Sequence, residues 1–245
     1  KRQLHEEADY RREAEQMKRY AGLLEGEVGF AIPRPVDDLC GDAILAMDYM
    51  PGQPIESLRD APQAMRDTVM ERLFGLVLRE LFHFGYMQTD PNFANYRWRP
   101  DSGEIVLLDF GAARAVEDRT VAAYRQLMAA GLSEDRDALR ASLVEVGFVA
   151  PQTIERHGAA LDAMIDVMMR HLGRPGLFDF SDRAFVEPLR RHGRTIAADR
   201  SAWHIPPIDT LFVQRKISGT ALLAIRMEAK LPLRDMVAKA IAHAG

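Results

Sequence analysis

The chain has 245 residues, 47% hydrophobic and 28% charged, with 32 Lys and Arg against 36 Asp and Glu for a net charge of −4. This is too apolar for a disordered chain and too charged for a membrane bundle. It also lacks the global basic field that draws a protein to nucleic acid, so no nucleic-acid partner is expected. The single cysteine, Cys40, excludes an internal disulfide and a cysteine-rich metal centre. At roughly 100–200 residues per domain, the length allows one large domain or two small ones.

In chain order, Lys1 to Leu24 contains no Pro and many helix formers, with Gly26 as a stop signal, and predicts one helix. The chain opens on charged residues without an initiator Met or an apolar leader, so further sequence is expected upstream. After Pro33 and Pro35, the run Ala43-Ile44-Leu45-Ala46-Met47-Asp48-Tyr49 reads as a buried strand ended by Pro51-Gly52. A second helix from about Ala61 carries Met65, Val69, Leu73, Leu76 and Val77 on one face and stops at Gly85.

The turn-rich segment Gln88-Thr89-Asp90-Pro91-Asn92-Phe93-Ala94-Asn95 follows, because Pro91 cannot continue a helix. Tyr96–Arg99 and Glu104–Leu108 then flank the turn Pro100-Asp101-Ser102-Gly103, a hairpin pattern. Beyond Gly111 the chain reads as helices over about 117–130, 134–146, 152–172, 183–198, 207–229 and 233–243. A helix, a few strands and then a helical mass make an α+β arrangement. The apolar runs Ile105–Leu108 and Ala221–Ile225 are far shorter than a bilayer requires. On the 207–229 helix, Gly219-Thr220-Ala221 predicts close approach to another helix. Packing against the lobe is the expected role of this helix; the alternative is a lipid-facing groove, with Arg215, Lys216 and Arg226 near anionic head groups.

The chemistry lies in Asp90, Asn95 and Asp109-Phe110-Gly111. Asp-x-x-x-x-Asn, a short hairpin and Asp-Phe-Gly is the order of the catalytic and metal-binding loops of protein kinases. Phosphoryl transfer needs hard oxygen ligands for Mg²⁺ and a carboxylate beside the attacking oxygen. Asp109 and Asn95 are therefore expected to hold Mg²⁺, and Asp90 to orient or deprotonate the nucleophile. Met47-Asp48-Tyr49-Met50 occupies the position of a kinase hinge, whose backbone would bond the adenine edge of ATP, with Met47 as gatekeeper. Glu6 or Glu7 on the first helix is placed to pair with a phosphate-binding Lys.

Glu7-Ala8-Asp9-Tyr10 followed by Arg12-Glu13-Ala14, Met87-Gln88-Thr89-Asp90-Pro91-Asn92-Phe93-Ala94-Asn95, and Leu107-Leu108-Asp109-Phe110-Gly111-Ala112 together resemble the UbiB family of atypical kinase-like ATPases. The resemblance extends from residue 1 to about 235 and is strongest to the branch that supports ubiquinone (coenzyme Q) synthesis. It implies a protein-kinase-like fold, with part of the N-lobe over residues 1–50 and a mostly helical C-lobe over 51–245. It implies Glu7 and Asp9 as a nucleotide-side Glu-x-Asp motif, ATP and Mg²⁺ as cofactors, and ATP hydrolysis coupled to handling of a lipid or quinone precursor. Implied partners are ubiquinone-biosynthesis proteins and a membrane surface contacted peripherally. The implied location is the bacterial cytoplasm at the inner membrane, or the mitochondrion in a eukaryote.

The family's Lys-x-Gly-Gln helix, alanine-rich loop and Lys-bearing strand have no counterpart here, so the chain reads as the C-terminal part of such a protein and as inactive alone. No Ala-Pro-Glu follows Gly111; Ala150-Pro151-Gln152 lies too far along. A small-molecule phosphotransferase of the aminoglycoside-kinase type and a non-catalytic nucleotide-gated scaffold remain alternatives.

Overall fold

A computed structural model of the chain describes residues 9–200 and 203–242. Helix α1 (Tyr10–Leu23) begins where the Asp9 carboxylate caps it, accepting from the Arg12 amide at 3.0 Å. Only this part of the expected 1–24 helix is described; Glu6 and Glu7 lie outside the described residues. Ala14, Met17 and Tyr20 recur at helical spacing and form its buried stripe.

The main sheet has the order β1 (Phe30–Ala31), β5 (Glu104–Leu107), β4 (Tyr96–Arg99), β2 (Gln53–Pro54); β1 runs parallel to β5 and the other neighbours are antiparallel. The β4–β5 hairpin is the one expected from its Asp-Ser-Gly turn, with Gly103 at φ +69°. The expected buried strand at Ala43–Tyr49 does not form. The segment makes an isolated bridge between Met47 and Pro35, with Val36 and Asp48 amides donating to Ala46 and Arg34 carbonyls, and Tyr49 is 89% exposed. Its apolar composition favours a strand, but a bridge to one Pro-punctuated segment neither extends a ladder nor covers its faces.

Helix α2 (Gln63–Arg79) runs through the centre of the core. Val69, Met70, Leu73 and Leu76 face α1 and the sheet, and Val77 begins a second cluster with Leu81 and Met87. Its last turn widens into a π turn (Glu80–Phe84) that ends at Gly85, whose φ of +53° suits a residue without a Cβ. Two short strands then pair antiparallel: β3 (Tyr86–Gln88), which ends at the first residue of the expected turn-rich segment, and β6 (Ala113–Ala115), with Gln88 opposite Ala113. This pairing sets Asp90 beside the Asp-Phe-Gly turn.

The remainder is helical: α3 (Asp118–Ser133), α4 (Arg136–Glu145), α5 (Pro151–Leu172), α6 (Val186–Ala198), α7 (Ile208–Arg226) and α8 (Leu233–Ala242). A two-residue ladder, β7 (Phe178–Asp179) with β8 (Lys230–Leu231), ties this mass together. Pro151 stands at the start of α5, so Ala150-Pro151-Gln152 is a helix entry. Within α5, Ile165 and Val167 are buried while Met168 is exposed. Among the described residues no helix is long and apolar enough to cross a membrane.

Candidate active site

The loop after β3 is tied down from within. Asn92 accepts from the Ala94 amide at 3.1 Å and closes a tight turn over Phe93–Asn95. Asn95 then donates its side-chain amide to Asp90 Oδ2 at 3.1 Å. Its backbone carbonyl accepts from Leu108 N at 3.0 Å, joining this loop to the residue before Asp109. On the other side, Thr89 donates both its amide and its hydroxyl to the Ala112 carbonyl. Asp109 Oδ1 accepts from Gly111 N at 3.0 Å. Asp90, Asn95 and Asp109 are therefore brought together, and Asn95 and Asp109 line one small void of about 10 Å³.

Two further residues belong to this constellation. Glu13 on α1 reaches the Asp-Phe-Gly turn and accepts from the Phe110 amide at 3.3 Å. Burial, and then the neighbouring Asp109 charge, push the Glu13 carboxyl above its usual range. Arg215 on α7 donates to Asp90 Oδ1 at 3.0 Å, so both oxygens of Asp90 are held. Sequence reasoning gave neither residue this role; the spacing of Glu13, four before Met17 and seven before Tyr20, could have found it, whereas Arg215 carried no comparable signal.

The cations of the lipid-groove alternative are engaged with the lobe instead. Arg215 is on Asp90, Lys216 is buried, and Arg226 pairs with Glu56 and lies over the Phe93 ring at 4.9 Å. Gly219 makes its close approach not to another helix, as expected, but to Pro91 in the loop after β3, where an added Cβ would come within 2.1 Å of the proline Cβ. Of the hinge-like residues, Asp48 accepts from the Arg34 amide at 3.3 Å, while Met47 and Tyr49 are exposed and Met50 is half-buried. Asp9 is exposed at its cap.

Among the described residues no group of three His, Cys, Asp or Glu side chains forms a metal cage. Mg²⁺ is commonly held by one or two carboxylates with substrate phosphates and water. An Asp109–Asn95 pair with the Glu13 carboxyl close by fits such an ion.

The ABC1 atypical kinase-like domain matches residues 1–143, more than half of the chain. The chain belongs to this family. Within the ABC1 family, the atypical kinase COQ8B, mitochondrial, of Rattus norvegicus is 32% identical over 234 residues, 94% of this chain and 43% of the relative. The atypical kinase COQ8, mitochondrial, of Saccharomyces cerevisiae is 31% identical over 235 residues, 94% of this chain and 46% of the relative. The chain thus spans less than half the length of these relatives. Among solved structures, Rv3197 of Mycobacterium tuberculosis, determined as a complex with erythromycin, superposes with a TM-score of 0.73 at 18% identity, over 95% of this chain and 57% of that one. The ABC1 chain has a protein-kinase-like fold, and the UbiB resemblance carried by its motifs points to the same family of atypical kinases. The ABC1 match ends in α4, well before Arg215.

Proposed function

We propose that the protein acts as an atypical kinase or ATPase that binds Mg-ATP and supports ubiquinone biosynthesis, coupling ATP hydrolysis to the handling of a lipid or quinone precursor. The observation that carries this reading is Asp90, held through one oxygen by Arg215 and through the other by Asn95, beside Asp109. Phosphoryl transfer depends on positioning more than on covalent chemistry. A carboxylate restrained at both oxygens is suited to orient an attacking water or hydroxyl. Asn95, whose amide nitrogen is turned to Asp90, would hold the metal through its carbonyl oxygen, and Asp109 through its carboxylate. When bound, Mg²⁺ neutralises phosphate charge. Glu13, fixed on the Phe110 amide, sets α1 against the metal loop.

The COQ8 names of the relatives and the Gln-Thr-Asp-Pro-Asn wording support the ubiquinone branch. In this reading residues 1–50 are part of the N-lobe, with Met47–Met50 as the adenine-side hinge and Glu7 and Asp9 on the nucleotide side. Residues 51–245 are the C-lobe. Ubiquinone-biosynthesis proteins and a peripheral membrane surface are the partners, at the bacterial inner membrane or in the mitochondrion.

The test is ATP turnover by the full-length protein, with and without lipid vesicles and quinone-like phenols, against Asp109→Asn. Turnover stimulated by lipid or phenol and lost in Asp109→Asn is expected. Turnover unchanged by the substitution would overturn the assignment, and no turnover under any condition would favour a scaffold.

A further inference from the structure

Next to Arg215 on α7, Lys216 turns into the core and is 2% exposed. Its ammonium donates to the Tyr96 hydroxyl at 3.0 Å and to Gln88 Oε1 at 3.2 Å, and lies 3.6 Å from Glu80 Oε2. Glu80 is wholly buried in the π turn; its Oε1 accepts from the Tyr20 hydroxyl and, at 3.0 Å, from the Gln88 amide. Burial is the largest single influence and pulls the Lys216 ammonium down, but Glu80 and Tyr96 together outweigh it and keep the group above its usual range.

Each member of this cluster adjoins a working part of the site. Gln88 precedes Asp90 by two residues and Tyr96 follows Asn95. The Tyr20 ring packs tilted on Phe110 with centroids 5.1 Å apart, on the helix that carries Glu13. A buried ion pair is weak evidence for stability, since an apolar replacement of similar volume often does as well. This one is also incompletely satisfied: among the described residues Glu80 Oε2 and Gln88 Nε2 have no hydrogen-bond partner. What an ion pair supplies that a leucine would not is direction. The π turn, with its extra residue, sets the direction of Glu80, and π turns of this kind concentrate at functional sites.

We propose that the Lys216–Glu80 pair is the positioning hub of the site, locking α1 to the Gln88–Asn95 segment so that Glu13, Asp90 and Asn95 keep their places around Asp109. The proposal rests on the reading of this site as one that turns over ATP. Lys216 and Glu80 touch no reacting atom in it; they act through Tyr20, Gln88 and Tyr96.

Two variants of the full-length protein test it. The double variant Lys216→Met with Glu80→Gln removes both charges together and keeps an acceptor for Tyr20 and the Gln88 amide. Tyr20→Phe removes one hydroxyl and keeps the ring on Phe110. In the double variant kcat is expected to fall at least about tenfold, with KM for ATP within about twofold of wild type, because misplaced groups lose rate while the nucleotide contacts persist. Tyr20→Phe is expected to lower kcat in the same direction by a smaller factor.

Amide hydrogen exchange of the full-length protein supplies a readout that needs no activity. Exchange is expected to quicken over residues 88–95 while α3 is unchanged. Folded variants with wild-type kcat, or with unchanged exchange over 88–95, overturn the hub, as does exchange that quickens uniformly. If the double variant does not fold, Tyr20→Phe decides by the same criteria. If wild type and Asp109→Asn turn over ATP alike, the site reading has failed and exchange alone judges the hub.

Discussion

Arg215 is half exposed, yet its partner is the carboxylate on which the proposed chemistry turns. An exposed ion pair contributes at most about 1 kcal/mol to stability, so Arg215→Ala is expected to leave the melting temperature almost unchanged. Asp90 would lose one of its two restraints, and ATP turnover by the full-length protein should fall at least about tenfold. A variant as active as wild type would remove Arg215 from the site. Gly219→Ala makes a different point, since the new Cβ meets Pro91 at 2.1 Å and either α7 or the catalytic loop must shift. Gly75→Ala, in the interior of α2 with open space around it, should instead raise stability by about 0.5–1 kcal/mol. Urea unfolding of the two variants should move in opposite directions. Asp90, Asn95 and Asp109 were legible in the sequence because one short hairpin separates them, and a short hairpin has few ways to fold. Arg215 and Lys216 were not. Their partners lie more than a hundred residues upstream, and a helix with alternating small, charged and apolar residues reads the same whether it faces lipid or a loop.

At the scale of elements, hairpin and helices followed from turn chemistry and periodicity, whereas the shortest strands did not. β3 and β6 are three residues each and hold together through Gln88 opposite Ala113, a pairing no local pattern announces. The Ala43–Tyr49 segment shows the converse: local composition favours a strand, but a strand forms only where a partner extends the ladder. The β7–β8 ladder carries a testable pH dependence. The Ser181 hydroxyl and, with Lys230, further hydrogen bonds hold the Asp179 carboxyl down at about 2, against the opposing effect of burial. A depressed carboxylate pKa adds stability that is present above the ordinary value near 3.8 and is lost as pH falls toward 2. Asp179→Asn is therefore expected to melt earlier than wild type at pH 7, with the difference closing between pH 4 and 2. A difference that persists at pH 2 would place the effect elsewhere than in the charge.

For the molecule as a whole, the loops proposed to carry catalysis and metal sit on a well-packed helical body, while Leu39 and Ile44 before the hinge-like segment, and Tyr49 within it, are exposed. If nucleotide binding needs the N-lobe parts that have no counterpart in this sequence, calorimetric titration of the 245-residue chain with Mg-ATP should show weak or unmeasurable binding. Micromolar affinity would overturn the need for those parts. The kinase-like fold class was legible because its loops come in a fixed order. What completes the site was not, because it comes from the far end of the chain.

That separation has a consequence for synthesis. Asp90 and Arg215 are 125 residues apart, so at about 5–20 residues per second the ribosome delivers α7 roughly 6–25 s after the loop it restrains. Until then Asp90 lacks its arginine and Glu80 lacks its lysine. A nascent chain can hold every motif residue through Asp109 and still be unable to place them, so assembly of this site is timed by the emergence of α7.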